Sequence, residues 1–249
     1  MHLGAKLVVE GGFDPLLVSP RPPLRVERRG SGQSSASTLV VDLSARQEAE
    51  RILLGGLKTK EVDVVVDIPG VGPCLAISVK GTLSAFRNLT NRMEEAVGDC
   101  TNLHIVYPAL VYGFMHVLRA NLADRSAASN DVGLMASGEP ISGISRYHDI
   151  LMRLTGRSSV RNDASRYEAI AMGLVDTKGA RKGTLLSGYP PTESPLRFEK
   201  FFPTLLAAYD SRFVYSAPAL QARTQRLEWD SRSPALQELA ACKFEPRVG

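Results

Sequence analysis

The segment Glu61–Lys80, EVDVVVDIPGVGPCLAISVK, constrains the fold more than any other stretch of the chain. Two runs rich in Val and Ile flank a Pro/Gly turn, which predicts a β-hairpin. With the turn at Pro69–Gly72, Asp63 pairs with Ser78, Val65 with Ala76 and Asp67 with Cys74. One face then carries Val62, Val64, Val66, Leu75, Ile77 and Val79. The other carries Glu61, Asp63, Val65, Asp67, Cys74, Ala76, Ser78 and Lys80. A one-residue slip would exchange the faces, so the alternation itself specifies this register. The mixed face holds Asp63 and Lys80 beside two small residues, Ala76 and Ser78, which leave room for another molecule. A hairpin whose polar face simply meets water is the plainer alternative.

The flanking sequence supplies helices. Residues 11–37, rich in Pro, Gly, Arg and Ser, read as an irregular arm. Ser44-Ala45-Arg46-Gln47 has the form of a capping box, opening a helix over Ser44–Leu53 that Gly55-Gly56 ends. After the hairpin, Ser84 caps a second helix with Phe86, Leu89, Met93 and Val97 as its buried stripe and Gly98 as its stop. A central strand is expected around Leu103–Tyr107, and helices over Ser145–Leu154, Ala164–Leu174 and within Phe198–Tyr209. Residues 121–143 form a long polar connection, and the tail from Ala217 is weakly patterned. The expectation is one α/β domain over 1–249: an arm (1–37), a core (44–118) and a helical C-terminal elaboration (121–249).

Composition narrows the class. The chain has 249 residues, 44% hydrophobic and 22% charged, with a formal net charge of +4. This is ordinary globular composition with a mild basic excess, compatible with a polyanionic partner. Three cysteines without a CxxC exclude a disulfide framework and a structural zinc site. No apolar run approaches the roughly 20 residues of a membrane span, and MHLGAKLVVEGG is too broken by Gly for a secretory leader. A soluble, cytoplasmic protein is expected.

Asp63, Ser78 and Lys80 on a hairpin resemble the core of the PD-(D/E)XK nucleases, whose two acidic positions hold Mg²⁺ and whose lysine stands near the attacking water. Val62 replaces the proline, and Ser78 stands at the (D/E) position. Type II restriction endonucleases that cut CCGG-type sites carry the same Ser-x-Lys and recover the carboxylate from the following helix, about sixteen residues on. That count lands on Glu94, which shares a helix face with Arg87 and Asn91. The resemblance covers about residues 44–107 and implies a restriction-endonuclease-like core, a central mixed sheet flanked by helices.

The resemblance implies Asp63 and Glu94 as Mg²⁺ ligands, and the backbone carbonyl of Val79 suits a third. Such an ion would neutralise charge and lower the pKa of bound water; Lys80 would position that water or stabilise the transition state. Glu48 is either a further acid or a solvated helix residue, and Glu95 is expected to face elsewhere. Arg87 is the first candidate for base reading, with Arg92 as an alternative, since arginine to guanine is the commonest specific contact. Lys178, Arg181 and Lys182 make a basic loop that either touches DNA backbone or is solvated. The expected function is Mg²⁺-dependent cleavage of double-stranded DNA at a short site by a homodimer or homotetramer, since a palindromic site suits two-fold symmetry. A partner-dependent repair or phage-defence nuclease and an inactive DNA-binding protein on the same fold are the alternatives.

Overall fold

The computed structural model describes residues 1–29, 36–82, 89–123, 132–161, 163–178 and 182–249. In chain order its first elements are α1 (His2–Val9), β1 (Val18–Ser19), β2 (Leu24–Arg28), β3 (Thr38–Val41), β4 (Arg51–Leu54) and β5 (Thr59–Val62). Next come β6 (Val64–Ile68), β7 (Gly72–Thr82), α2 (Leu89–Val106), β8 (Val111–Arg119), β9 (Asn121–Leu122) and β10 (Val132–Leu134). The chain continues with α3 (Ser142–Leu154), β11 (Ala169–Val175), α4 (Phe198–Tyr209), α5 (Gln221–Thr224) and α6 (Pro234–Glu238). The fold is α/β. A five-stranded mixed sheet has the order β1-β6-β7-β8-β11, with β1 antiparallel to β6 and β11 parallel to β8. Helices flank it, as expected, and further short helices follow near the C-terminus. Among the described residues no helix is long and apolar enough to cross a membrane.

The chain forms two compact units, and β7 contributes to both. The first comprises Met1–Leu53, Thr59–Ala76 and Tyr209–Gly249. Its core gathers Leu7, Val8, Val18, Leu24, Val65, Leu75 and Trp229, all nearly inaccessible to solvent. The Trp229 indole donates to the carbonyls of Val8 and Val9 at 2.9 and 3.1 Å, so a large apolar ring is buried without an orphaned N–H. Gly12, with φ +69°, lets the chain pass the Leu227 carbonyl, which a Cβ would approach to 2.2 Å. The second unit comprises Leu54–Lys58 and Ile77–Ala208. There α4 packs on β8 at Gly113, where a Cβ would meet the Phe201 ring at 2.6 Å.

Several expected elements take other forms. The arm over 11–37 contains β1, an edge of the main sheet, and β2, which pairs with β3; buried Val18 and Leu24 supply the apolar anchors its composition masked. The helix expected over Ser44–Leu53 is absent. A 3₁₀ turn over Leu43–Ala45, capped by the Asp42 carboxylate on the Ser44 amide at 3.0 Å, leads instead into β4. Gly55-Gly56 lies in the turn between β4 and β5, and this turn packs on α2, where a Cβ on Gly55 would come within 2.0 Å of the Asn102 side chain. The strand expected at Leu103–Tyr107 is the last turn of α2. Met93, Ala96, Cys100 and Leu103 continue one buried helical stripe past Gly98, which lies on the exposed face and therefore stops nothing. Ala164–Leu174 contains strand β11, not a helix; AIAMGLV is buried almost throughout, so apolar side chains on both faces erase any alternation. The helix at Phe198–Tyr209 forms as expected.

Candidate active site

The hairpin centre is buried on both faces. Val64, Val65 and Val66 and the run from Cys74 to Ser78 all lie within 3% of full burial. The mixed face that sequence alternation leaves open is therefore closed at Val65, Ala76 and Ser78. The expected long first strand is broken at Asp63, a half-buried bend where the chain passes from β5, paired with β4, to β6 in the central sheet. Asp63 belongs to the first compact unit, whereas Ser78, Lys80 and Glu94 belong to the second.

In the second unit, the end of β7 projects Ser78 and Lys80, two residues apart, from one strand face. Both line a cavity completed by α2 and by Phe114, His116 and Tyr167. Ser78 is 3% exposed, and its hydroxyl shares a 2.8 Å hydrogen bond with the Tyr112 hydroxyl. Phe114, His116 and Tyr167 supply the aromatic part of the lining, packed on further rings: Tyr112 and Phe114 lie 4.8 and 5.3 Å from Tyr167, and His116 stacks on Tyr147 at 5.2 Å. The Tyr167 hydroxyl donates to the Ala96 carbonyl at 2.7 Å, tying this lining to α2.

The helix supplies the charges. Lys80 Nζ lies 3.2 Å from Glu95 Oε1, and Arg92 Nη1 lies 3.1 Å from Glu95 Oε2. Glu95, not Glu94, is thus the helical carboxylate that reaches Lys80, which corrects the expectation that Glu95 faces elsewhere. Glu94 is exposed, as is Asn91, and neither lines the cavity. Asp99, one turn beyond Glu95, lines the same cavity from a buried position and lies 3.7 Å from Lys58. The i, i+3, i+7 spacing of Arg92, Glu95 and Asp99 is the signal in the sequence for this stripe.

Electrostatics follow from burial and these partners. Burial alone would raise the Glu95 pKa; the hydrogen bond and charge of Lys80, then those of Arg92, outweigh it and hold the carboxyl below its ordinary value. Burial, with a smaller contribution from the Arg92 charge, pushes His116 down to about 4, so its imidazole is neutral near pH 7.

The other described candidate residues are not among those that line this cavity. Glu48 pairs with Arg46 on an exposed stretch of the first unit, and Val79 is half-buried on β7. Lys178 is half-buried, its amide bonded to the Asp176 carboxylate at 3.0 Å, and Lys182 is exposed. Arg87 and Arg181 lie outside the described residues.

Among the described residues no three His, Cys, Asp or Glu side chains come together as a metal-holding group. Magnesium, however, commonly takes only one or two protein carboxylates and completes its octahedron with water and substrate phosphate. Glu95 and Asp99, carboxylates one helical turn apart on one cavity, fit that smaller requirement. Compared with protein-family models, curated proteins and solved structures, the chain matches none.

Proposed function

We propose that the chain is a Mg²⁺-dependent endodeoxyribonuclease of the restriction type, cutting double-stranded DNA at a short site as a homodimer or homotetramer. The carrying observation is the cavity in which Lys80, at the end of β7, meets the α2 carboxylate Glu95, with Asp99 one turn further along. The order of elements agrees with this reading: β6 and β7 adjoin at the sheet centre, and α2 leads to β8 beside β7. In the reaction the oxygen of water bonds to phosphorus, one phosphorus–oxygen ester bond breaks, and the water's proton ends on the departing oxygen. Glu95 and Asp99 would hold Mg²⁺, which supplies charge neutralisation and a more acidic bound water. The Lys80 cation opposes the charge that accumulates on the phosphoryl oxygens, and Arg92 stands beside it.

The test is cleavage of supercoiled plasmid with Mg²⁺. Discrete bands are expected, and Lys80→Ala should remove them; bands that survive this change end the assignment. Asp63→Asn separately tests whether the carboxylate implied by the resemblance takes part. A second reading, a DNA-binding protein without catalysis, draws on Ser78, whose hydroxyl is buried against Tyr112 where the resembling family usually has a carboxylate. Calorimetry separates the two: Mg²⁺ uptake lost on changing Glu95 and Asp99 supports the enzyme, and DNA binding without Mg²⁺ uptake supports the binder.

A further inference from the structure

Two cations converge on one carboxylate at the mouth of the cavity. Each Glu95 oxygen has its own cation, Lys80 on one and Arg92 on the other, at 3.2 and 3.1 Å. The carboxylate therefore fills positions that two oxygens of another anion could take. The cavity behind it has a volume of about 10 Å³, room for roughly one water molecule. A phosphate group does not fit there while Glu95 stays in place.

We propose that Lys80 and Arg92 form a phosphate clamp and that Glu95 is its internal occupant, which a backbone phosphate of DNA must displace. The identity of the anion rests on the nuclease reading; the clamp and its occupant are additional to it. The exchange is energetically accessible. The three side chains are 37–45% exposed, and exposed ion pairs are weak because water screens them and long side chains lose freedom in forming them. The arriving phosphate offers the Arg92 fork and the Lys80 ammonium charge-assisted bonds in return. The free protein thus keeps its phosphate site closed, and the same movement that opens it releases Glu95.

The test is the binding of a short fluorescein-labelled duplex in EDTA, read by anisotropy, for the wild type, Glu95→Gln, Glu94→Gln and Glu95→Gln/Arg92→Gln. Removing the occupant should tighten binding at least about fivefold, since it releases two exposed ion pairs, each worth up to about that factor. Glu94→Gln removes the same charge from the neighbouring exposed residue and should change affinity by less than about twofold, the size of a purely long-range effect. Arg92→Gln should abolish the gain. The clamp is overturned if Glu95→Gln binds no tighter than wild type, if Glu94→Gln gains as much, if the gain survives Arg92→Gln, or if no variant binds. A matched thermal melt of each variant establishes that it is folded. Plasmid cleavage reports on the nuclease reading independently. A protein that shows the gain but never cuts keeps the clamp and loses the enzyme; one that cuts without the gain does the reverse.

Discussion

Glu168 and Glu95 both face cations in the second compact unit, but their surroundings differ. Glu168 Oε1 accepts from Arg157 Nη1 at 2.8 Å and Oε2 from the Tyr112 amide at 2.7 Å, with side chains 0% and 1% exposed. Arg157 also donates to the carbonyls of Pro108 and Val160 at 2.9 and 3.3 Å. Those bonds run to main chain in the turn after α2 and in the loop after α3, so the buried pair braces these connections against β8 and the start of β11. Glu95 has no such frame. Its partners are the tips of two long side chains, all three groups remain wetted, and a cavity lies behind them. Ion pairing alone therefore does not mark a site: the buried pair is locked by its surroundings, and the half-exposed pair can exchange partners.

This contrast makes the largest prediction one of stability. Glu168→Ala leaves the Arg157 charge buried and uncompensated and should cost about 3–5 kcal/mol, measured by urea unfolding. A loss below about 1 kcal/mol would place this pair in the same weak class as Lys80–Glu95 and remove the comparison.

His116 gives the next effect, through pH. Its folded pKa lies near 4, depressed mainly by burial, against about 6.5 in the unfolded chain. Between these values the unfolded chain binds a proton that the folded protein excludes, so stability falls as pH falls from about 6.5 to 4. The full loss is on the order of 2–4 kcal/mol. His116→Asn should flatten that part of the profile in urea titrations at successive pH values; an unchanged slope would show that other groups carry it.

The smallest stability effect belongs to the site itself. Lys80→Ala should lower stability by less than about 1 kcal/mol, as expected for an exposed pair, while abolishing plasmid cleavage. A loss of several kcal/mol would recast Lys80 as a structural brace like Arg157.

These distinctions were only partly legible in the sequence. The hairpin was, because Val and Ile runs around Pro69-Gly70 admit few other forms. So was α4, whose apolar face repeats at helical spacing. Strand β11 was not, since AIAMGLV has no polar residue to set a period and its neighbours decide its form. The end of α2 is not legible either: Gly98 has the form of a helix stop, yet a glycine on a solvent face costs a helix only about 1 kcal/mol, and the helix continues to Val106. At the site, the resemblance leads to Lys80 and to a carboxylate on the next helix. Which carboxylate is not legible: Glu94 and Glu95 are adjacent, about 100° apart around the axis, and the rotation of α2 is set by Met93, Ala96 and Cys100 packing inward. Asp99 and His116 carry no signal of their own in the sequence, because each gains its significance only when α2 and β8 meet β7 in one cavity.

The central claim is that Glu95 is the helical carboxylate of a DNA-cleaving site. The most direct measurement is the rate of plasmid linearisation in Mg²⁺ by wild type, Glu94→Gln and Glu95→Gln at equal concentration. Cutting by wild type and Glu94→Gln with a loss of about a hundredfold or more in Glu95→Gln is predicted, the scale seen when one transition-state contact is removed. Cutting by Glu95→Gln at the wild-type rate, or no cutting by wild type, would contradict it.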